Sequence, residues 1–251
     1  MRKLLVALTL VSFFVAGTAL AGEFGAPAPY TKEGQFSMGL GYSYMSTDIK
    51  PKDRTIIDTD KIKISQNQVY LEGGYGIAKD WEAFARLGGA DLKQKDSFID
   101  NTLPGGKADF SDGMKFFGTL GFRGAFYSAP SYRVGMFLQG TYFSEYKDVD
   151  AAQSQVKVKS MYEVDFGIAA QTDLGPATLY AGPFVYVLRG KAEDTDLSPG
   201  GGVLGSASFK EKTPVGGFAG VRYPFGGGYF ANLEGRYQSG GVVSVSVMKT
   251  F

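Results

Sequence analysis

Glu163 and Asp165 stand two residues apart in the stretch MYEVDFGIAA. Paired carboxylates are what general acid–base chemistry uses, one protonated and the other ionised. On an extended strand, residues i and i+2 share a face, so the pair serves equally as a polar lining. The 251-residue chain has no His. Neither a Ser-His-Asp nor an Asp-His general-base arrangement can therefore form, and no other side chain ordinarily titrates near neutrality. There is no Cys to make a disulfide or carry a lipid. Acidic oxygens gather at Asp48, Asp53, Asp58 and Asp60 and again at Glu193, Asp194 and Asp196, without the fixed spacing of a calcium loop. Glycines at 73–74, 88–89, 105–106, 200–202 and 216–217 lack the GxxxxGK[ST] pattern and the following helix of a phosphate cradle. The expectation is a non-enzymatic protein with no cofactor and no metal.

What remains is a set of charges at strand-like spacing: Glu72, Glu82, Arg86, Arg123, Arg133, Glu163, Asp165, Arg222, Glu234 and Arg236. Two kinds of chemistry are open to them. Rings of charge set selectivity in a narrow channel, whereas the same groups paired away from water make a structural salt-bridge plug. Replacing Arg86 and Arg123 by Ala separates the two, since it destabilises a plug but raises the conductance of a channel.

The elements that must position these residues are strands. In QFSMGLGYSYM, the apolar residues Phe36, Met38, Leu40, Tyr42 and Tyr44 alternate with Ser37, Gly39, Gly41 and Ser43, the period of two that marks a strand. The pattern recurs and predicts ten strands, at 35–47, 62–77, 81–92, 112–127, 131–145, 157–172, 177–190, 206–223, 228–238 and 242–251. Short connections read as turns; the longer ones carry most of the remaining charge. Pro183 requires a bulge or a break in the seventh strand, because it has no N–H to give. The aromatics Phe84, Phe117, Phe137, Tyr180, Phe184, Tyr186 and Phe218 fall on the charged face, which makes that side crowded.

A soluble sandwich would bury the ten charges in a dry core, at high cost. A transmembrane barrel reverses the faces: the aromatic side meets lipid and the polar side lines an interior. Backbone groups in lipid must all be paired, so the sheet must close, and an even strand count puts both chain ends on one side. Tyr42, Tyr44, Trp81, Tyr132, Tyr142 and Tyr229 fall near strand ends, as an interfacial girdle requires. The fold class is therefore all-β, a closed antiparallel transmembrane β-barrel of about ten strands, with eight or twelve as alternatives.

The first residues, MRKLLVALTLVSFFVAGTALA, have a basic start, an apolar centre and a small-x-small end, the form of a cleaved secretory signal over 1–21. Its removal takes Arg2 and Lys3 and moves the net charge from +1 to −1, which offers nothing to nucleic acid. Residues 22–34, rich in Gly and Pro, read as a flexible leader, and 35–251 as the barrel domain. With the C-terminal alternation Val243, Val245, Val247, Phe251, the chain resembles the small outer-membrane β-barrels of Gram-negative bacteria, the opacity-type porins and the transmembrane domain of outer membrane protein A. That resemblance implies an integral outer-membrane protein, exported through the inner membrane as a precursor. It would be porin-like, with the lipid bilayer and lipopolysaccharide as surroundings. It also implies that Phe251 and the three valines are read by the barrel-assembly machinery. Lys249 departs from the family's pattern, which has a hydrophobic residue there. A narrow diffusion channel and a plugged structural or surface-adhesion barrel acting through its outer loops both stay open, and no oligomeric state follows.

Overall fold

Alternation of small and apolar residues leaves a chain nothing to form but strands, and strands with two different faces must bend to separate them. A computed structural model of the protein describes residues 22–29, 31–51, 62–99, 107–149 and 154–251. The proposed signal segment 1–21 and Asp53, Asp58 and Asp60 lie outside these. The strands are β1 (Phe36–Pro51), β2 (Ile62–Ala78), β3 (Trp81–Ile99), β4 (Lys107–Ser128), β5 (Arg133–Phe143), β6 (Tyr146–Val149), β7 (Ser154–Leu174), β8 (Ala177–Asp196), β9 (Val203–Glu211), β10 (Val215–Gly226), β11 (Tyr229–Tyr237) and β12 (Gly240–Thr250). All pairings between them are antiparallel. Ten strands close a ring in the order β1, β2, β3, β4, β5, β7, β8, β10, β11, β12 and back to β1. The seam runs from Ser37↔Thr250 to Thr47↔Gly240, and the Phe251 N–H donates to the Phe36 carbonyl at 2.8 Å. The C-terminus is thus tied into the wall.

β6 and β9 stand outside that ring, and they split two expected strands. The predicted strand 131–145 breaks after Phe143 and resumes as β6 along β7. The predicted strand 206–223 breaks between Glu211 and Val215, where Pro214 has no N–H to give. Pro183 interrupts the β7–β8 ladder between Gly167↔Phe184 and Ala170↔Ala181 without changing its register, the local break that its chemistry requires. Several strands run further outward than the hydrophobic alternation does, as in β8, which continues to Asp196. Charge ends a lipid-facing pattern without ending a hydrogen-bonded ladder.

The two faces sort as physics demands. Val69, Leu71, Leu120, Tyr142, Phe166, Val185 and Val245 are exposed on the outside, a side that only lipid can cover. The inside holds a cluster that includes Phe117, Phe137, Tyr180, Phe184 and Phe218. The wall also changes composition with height. β12 accompanies β1 only as far as Thr47, and from Ile49 to Pro51 β9 takes its place. The β11–β12 hairpin turns early, at Gln238–Ser239. Eight segments then surround the outer end, an interior that side chains just fill. Met45, Ile49, Ile62, Ile64, Leu92, Phe110, Tyr146, Val158, Leu188 and Phe209 are buried there.

Candidate functional site

Below this apolar neck the lumen is polar. Nine of the ten expected charges are buried inside it, and they fall into linked groups. Arg86 Nε donates to Glu72 Oε2 at 2.6 Å. Arg123 Nη2 donates to Glu72 Oε1 at 3.0 Å and to Glu82 Oε1 at 2.6 Å. Arg86 Nη1 reaches Gln139 Oε1 at 3.1 Å, and Gln139 Nε2 reaches Asp165 Oδ2 at 2.9 Å. The chain Glu82–Arg123–Glu72–Arg86–Gln139–Asp165 therefore crosses the interior from β3 and β4 to β7. On the other side Arg222 Nε donates to Asn232 Oδ1 at 3.0 Å, and Arg236 Nε lies 3.7 Å from Glu234 Oε1. Glu163 is buried on β7 beside Asp165. Glu72 and Arg86, Glu82 and Arg123, and Arg222 and Asn232 meet because they are direct partners on neighbouring strands, each at the inward position of a period-two pattern.

Arg133 is the exception. Its Nη2 pairs with Asp173 Oδ2 at 3.1 Å, with side chains 36% and 56% exposed. It opens β5, next to the β4–β5 turn, so its inward parity is spent at the rim where water reaches it. It does not belong to the lumen cluster.

The other departure concerns the segment expected to be a loose leader. Residues 22–29 run inside the barrel, and Glu23 and Phe24 are 0% exposed. The Phe24 ring stacks on Phe137 with centroids 4.0 Å apart and meets Phe184 and Phe218 edge-on at 4.8 and 5.0 Å. The Arg236 guanidinium covers the Phe24 ring, 4.4 Å from its centroid. Wall side chains satisfy the segment's backbone. The Phe24 and Gly25 N–H groups donate to the two oxygens of Glu234 at 2.8 and 2.9 Å. Arg123 Nη1 donates to the Phe24 carbonyl at 3.2 Å, Arg222 Nη1 to the Ala28 carbonyl at 3.0 Å, and the Ala28 N–H to Gln171 Oε1 at 2.6 Å. Glu23 Oε1 accepts from Ser246 Oγ at 2.6 Å and from Asn232 Nδ2 at 3.0 Å. Gly25 takes φ +79°, a backbone region glycine enters without steric cost.

The lumen charges therefore pair with one another and also hold a stopper. Sequence reasoning missed Glu23, Phe24, Gln139, Gln171, Asn232 and Ser246. The segment's composition, a Phe and a Glu among glycines, alanines and prolines, carries no local signal for this placement. The C-terminal residues lie as expected. Val243, Val245 and Val247 face outward opposite Tyr44, Tyr42 and Leu40, and Phe251 is exposed. Lys249 Nζ stands about equally over the Tyr229 and Phe251 rings, at 5.0 and 4.9 Å, which accommodates the cation in that otherwise apolar stretch.

No protein-family model matches the chain, and no curated protein matches it. Solved structures similar to it are small bacterial outer-membrane β-barrels. The outer membrane protein OprG from Pseudomonas aeruginosa is 15% identical over 88% of this chain and 97% of its own, with a TM-score of 0.45. The translocator domain of the autotransporter NalP from Neisseria meningitidis is 10% identical over 89% and 90%, with a TM-score of 0.46. The outer membrane protease OmpT from Escherichia coli is 10% identical over 86% and 93%, with a TM-score of 0.41. The barrel assignment stands on its own strand pairing and lipid-facing side rather than on these likenesses.

Proposed function

We propose that the protein is a non-enzymatic β-barrel of the bacterial outer membrane whose lumen is stoppered by its own N-terminal segment. It presents its outer wall and rim as the working surface. One observation carries this reading: residues 22–29 are buried in the lumen with their backbone bonded to Glu234, Arg123, Arg222 and Gln171. The non-enzymatic reading rests on the chain's lack of His and on the hydrogen bonds that Glu72, Glu82, Glu234, Asp165 and Glu23 accept from arginines, backbone N–H groups, Gln139, Asn232 and Ser246, which make them structural acceptors. A second reading, a channel that conducts when the stopper leaves, is supported by the same segment. It is no strand of the wall, and only side-chain contacts hold it.

Conductance in a planar bilayer separates the two. Protein beginning at Gly22, shown folded by heat-modifiable migration, is expected to be silent. Deletion of residues 22–29 gives unitary steps on the gated reading; on the stoppered reading the apolar neck still fills the outer end and the variant stays silent. Gly25→Ala is the milder probe, because φ +79° strains any side chain and the added carbon would lie 2.5 Å from Arg123 Nη1. Gly34→Ala, at φ +76° with open space around it, is the control and should stay silent. Regular steps from the intact protein would overturn the stoppered reading, and a silent deletion variant would overturn the gated one.

A further inference from the structure

The outward face of the barrel changes chemistry abruptly on one side. On β7 it reads Ile168, Phe166, Val164, Tyr162, all exposed, and on β8 Val185 and Val187. From Tyr162 to Ala170 is about the nine residues a tilted strand needs to cross the hydrocarbon. The next outward positions are basic: Lys159 and Lys157 on β7, Arg189 and Lys191 on β8. Lys147 on β6, Lys210 on β9 and Lys50 on β1 continue the row. Each neighbours an inward residue that is buried, Tyr146, Val158, Leu188, Gly190, Phe209 or Ile49, which fixes its outward direction.

The register sets these cations directly opposite one another: Lys147↔Lys157, Lys159↔Lys191, Arg189↔Lys210 and Lys50↔Lys210. Opposed like charges on a sheet face are destabilising, and four such pairs across five neighbouring strands require a counter-charge. The chain supplies little of it. Glu193 bonds Lys159 at 2.6 Å and stands opposite Lys157 in the ladder, and Glu211 bonds Arg189. Lys50, Lys147, Lys157, Lys191 and Lys210 form no ion pair among the described residues. The belt points sideways, in the direction of Tyr162 and Val187, at the height where hydrocarbon gives way to headgroups.

We propose that this belt docks the phosphate groups of a phosphorylated glycolipid, the lipopolysaccharide of the outer leaflet. The proposal rests on the outer-membrane reading. Height and direction favour a lipid over a soluble partner, and long lysine stems can lie along the wall while their ammonium groups meet phosphate.

The test uses the full mature chain, refolded in neutral detergent and inserted in phosphatidylcholine vesicles with or without deep-rough lipopolysaccharide. The variant carries Lys157→Gln, Lys191→Gln and Lys210→Gln; Lys79→Gln, at the opposite end of the barrel, is the control. Intact protein and control should bind the glycolipid in a salt-sensitive way, and the triple variant roughly a hundredfold more weakly. Chemically dephosphorylated glycolipid should bind the intact protein no better than the variant does. Equal binding by intact and variant protein, both heat-modifiable and inserted, overturns the belt alone. Failure of the intact protein to insert overturns the barrel reading and the belt with it. Binding of heparin in place of the glycolipid also overturns the proposal and moves the partner to a soluble polyanion.

Discussion

At the scale of single residues, the interior charges differ in worth according to what surrounds them. Arg86 is fully buried and held by Glu72 and Gln139; Arg133 shares water with Asp173. Truncating one partner of a buried pair strands the other charge and costs about 3–5 kcal/mol, whereas an exposed pair contributes about 0–1 kcal/mol. Arg86→Ala should therefore lower the temperature at which the barrel loses heat-modifiable migration by many degrees, and Arg133→Ala should leave it nearly unchanged. Equal shifts would contradict the placement of both residues. Arg123 is a poorer probe, because it holds Glu72, Glu82 and the Phe24 carbonyl together. Its loss would weaken the wall and loosen the stopper at once. Parity along a strand made nine of the ten inward charges legible. It could not tell Arg133 from the rest, because parity gives direction without depth.

At the scale of elements, β12 shows how two faces share one strand. Ser244 and Ser246 are buried inside, while Val243, Val245 and Val247 meet lipid outside. A charge at Val245, in mid-strand between Tyr42 and Leu233, would sit deep in hydrocarbon and cost about 2–4 kcal/mol. Val245→Arg should lower the urea midpoint of refolding into bilayers, and Ser46→Arg, nearer the rim on β1, should barely change it. If both variants refold alike, the outward side is not lipid-facing. The strands were legible because period two is a local property. The breaks at Ser144–Glu145 and at Lys212–Pro214 were not: β6 and β9 fold back as hairpins on the outward ends of β7 and β8, and β9 also pairs with β1, a partner distant in sequence.

At the scale of the whole molecule, closure joins the two ends of the chain. β12 pairs with β1 over eleven residue pairs, and the Phe251 N–H reaches Phe36. The proposed role of Phe251 in assembly separates biogenesis from stability. Removing it takes one hydrogen bond from the seam, worth about 1 kcal/mol. Barrels refolded from urea should hence be nearly as stable as the intact protein, while the amount reaching the outer membrane of living cells should fall several-fold. A large loss of refolded stability with normal delivery would make the residue a structural clasp instead.

The amino-acid order alone determined the all-β class, the two-faced strands, closure with both ends on one side, and which face lipid must cover. Each follows from the alternation of neighbours and from the cost of unpaired backbone in hydrocarbon. Only the tertiary structure decided what fills the interior. Glu23 and Phe24 lie more than two hundred positions from Glu234 and Asn232, and nothing local in GEFGAPAP distinguishes a stopper from a tether. A short segment rich in Gly and Pro takes the form of whatever can satisfy its backbone, and here the satisfying groups exist only after ten strands have closed around it.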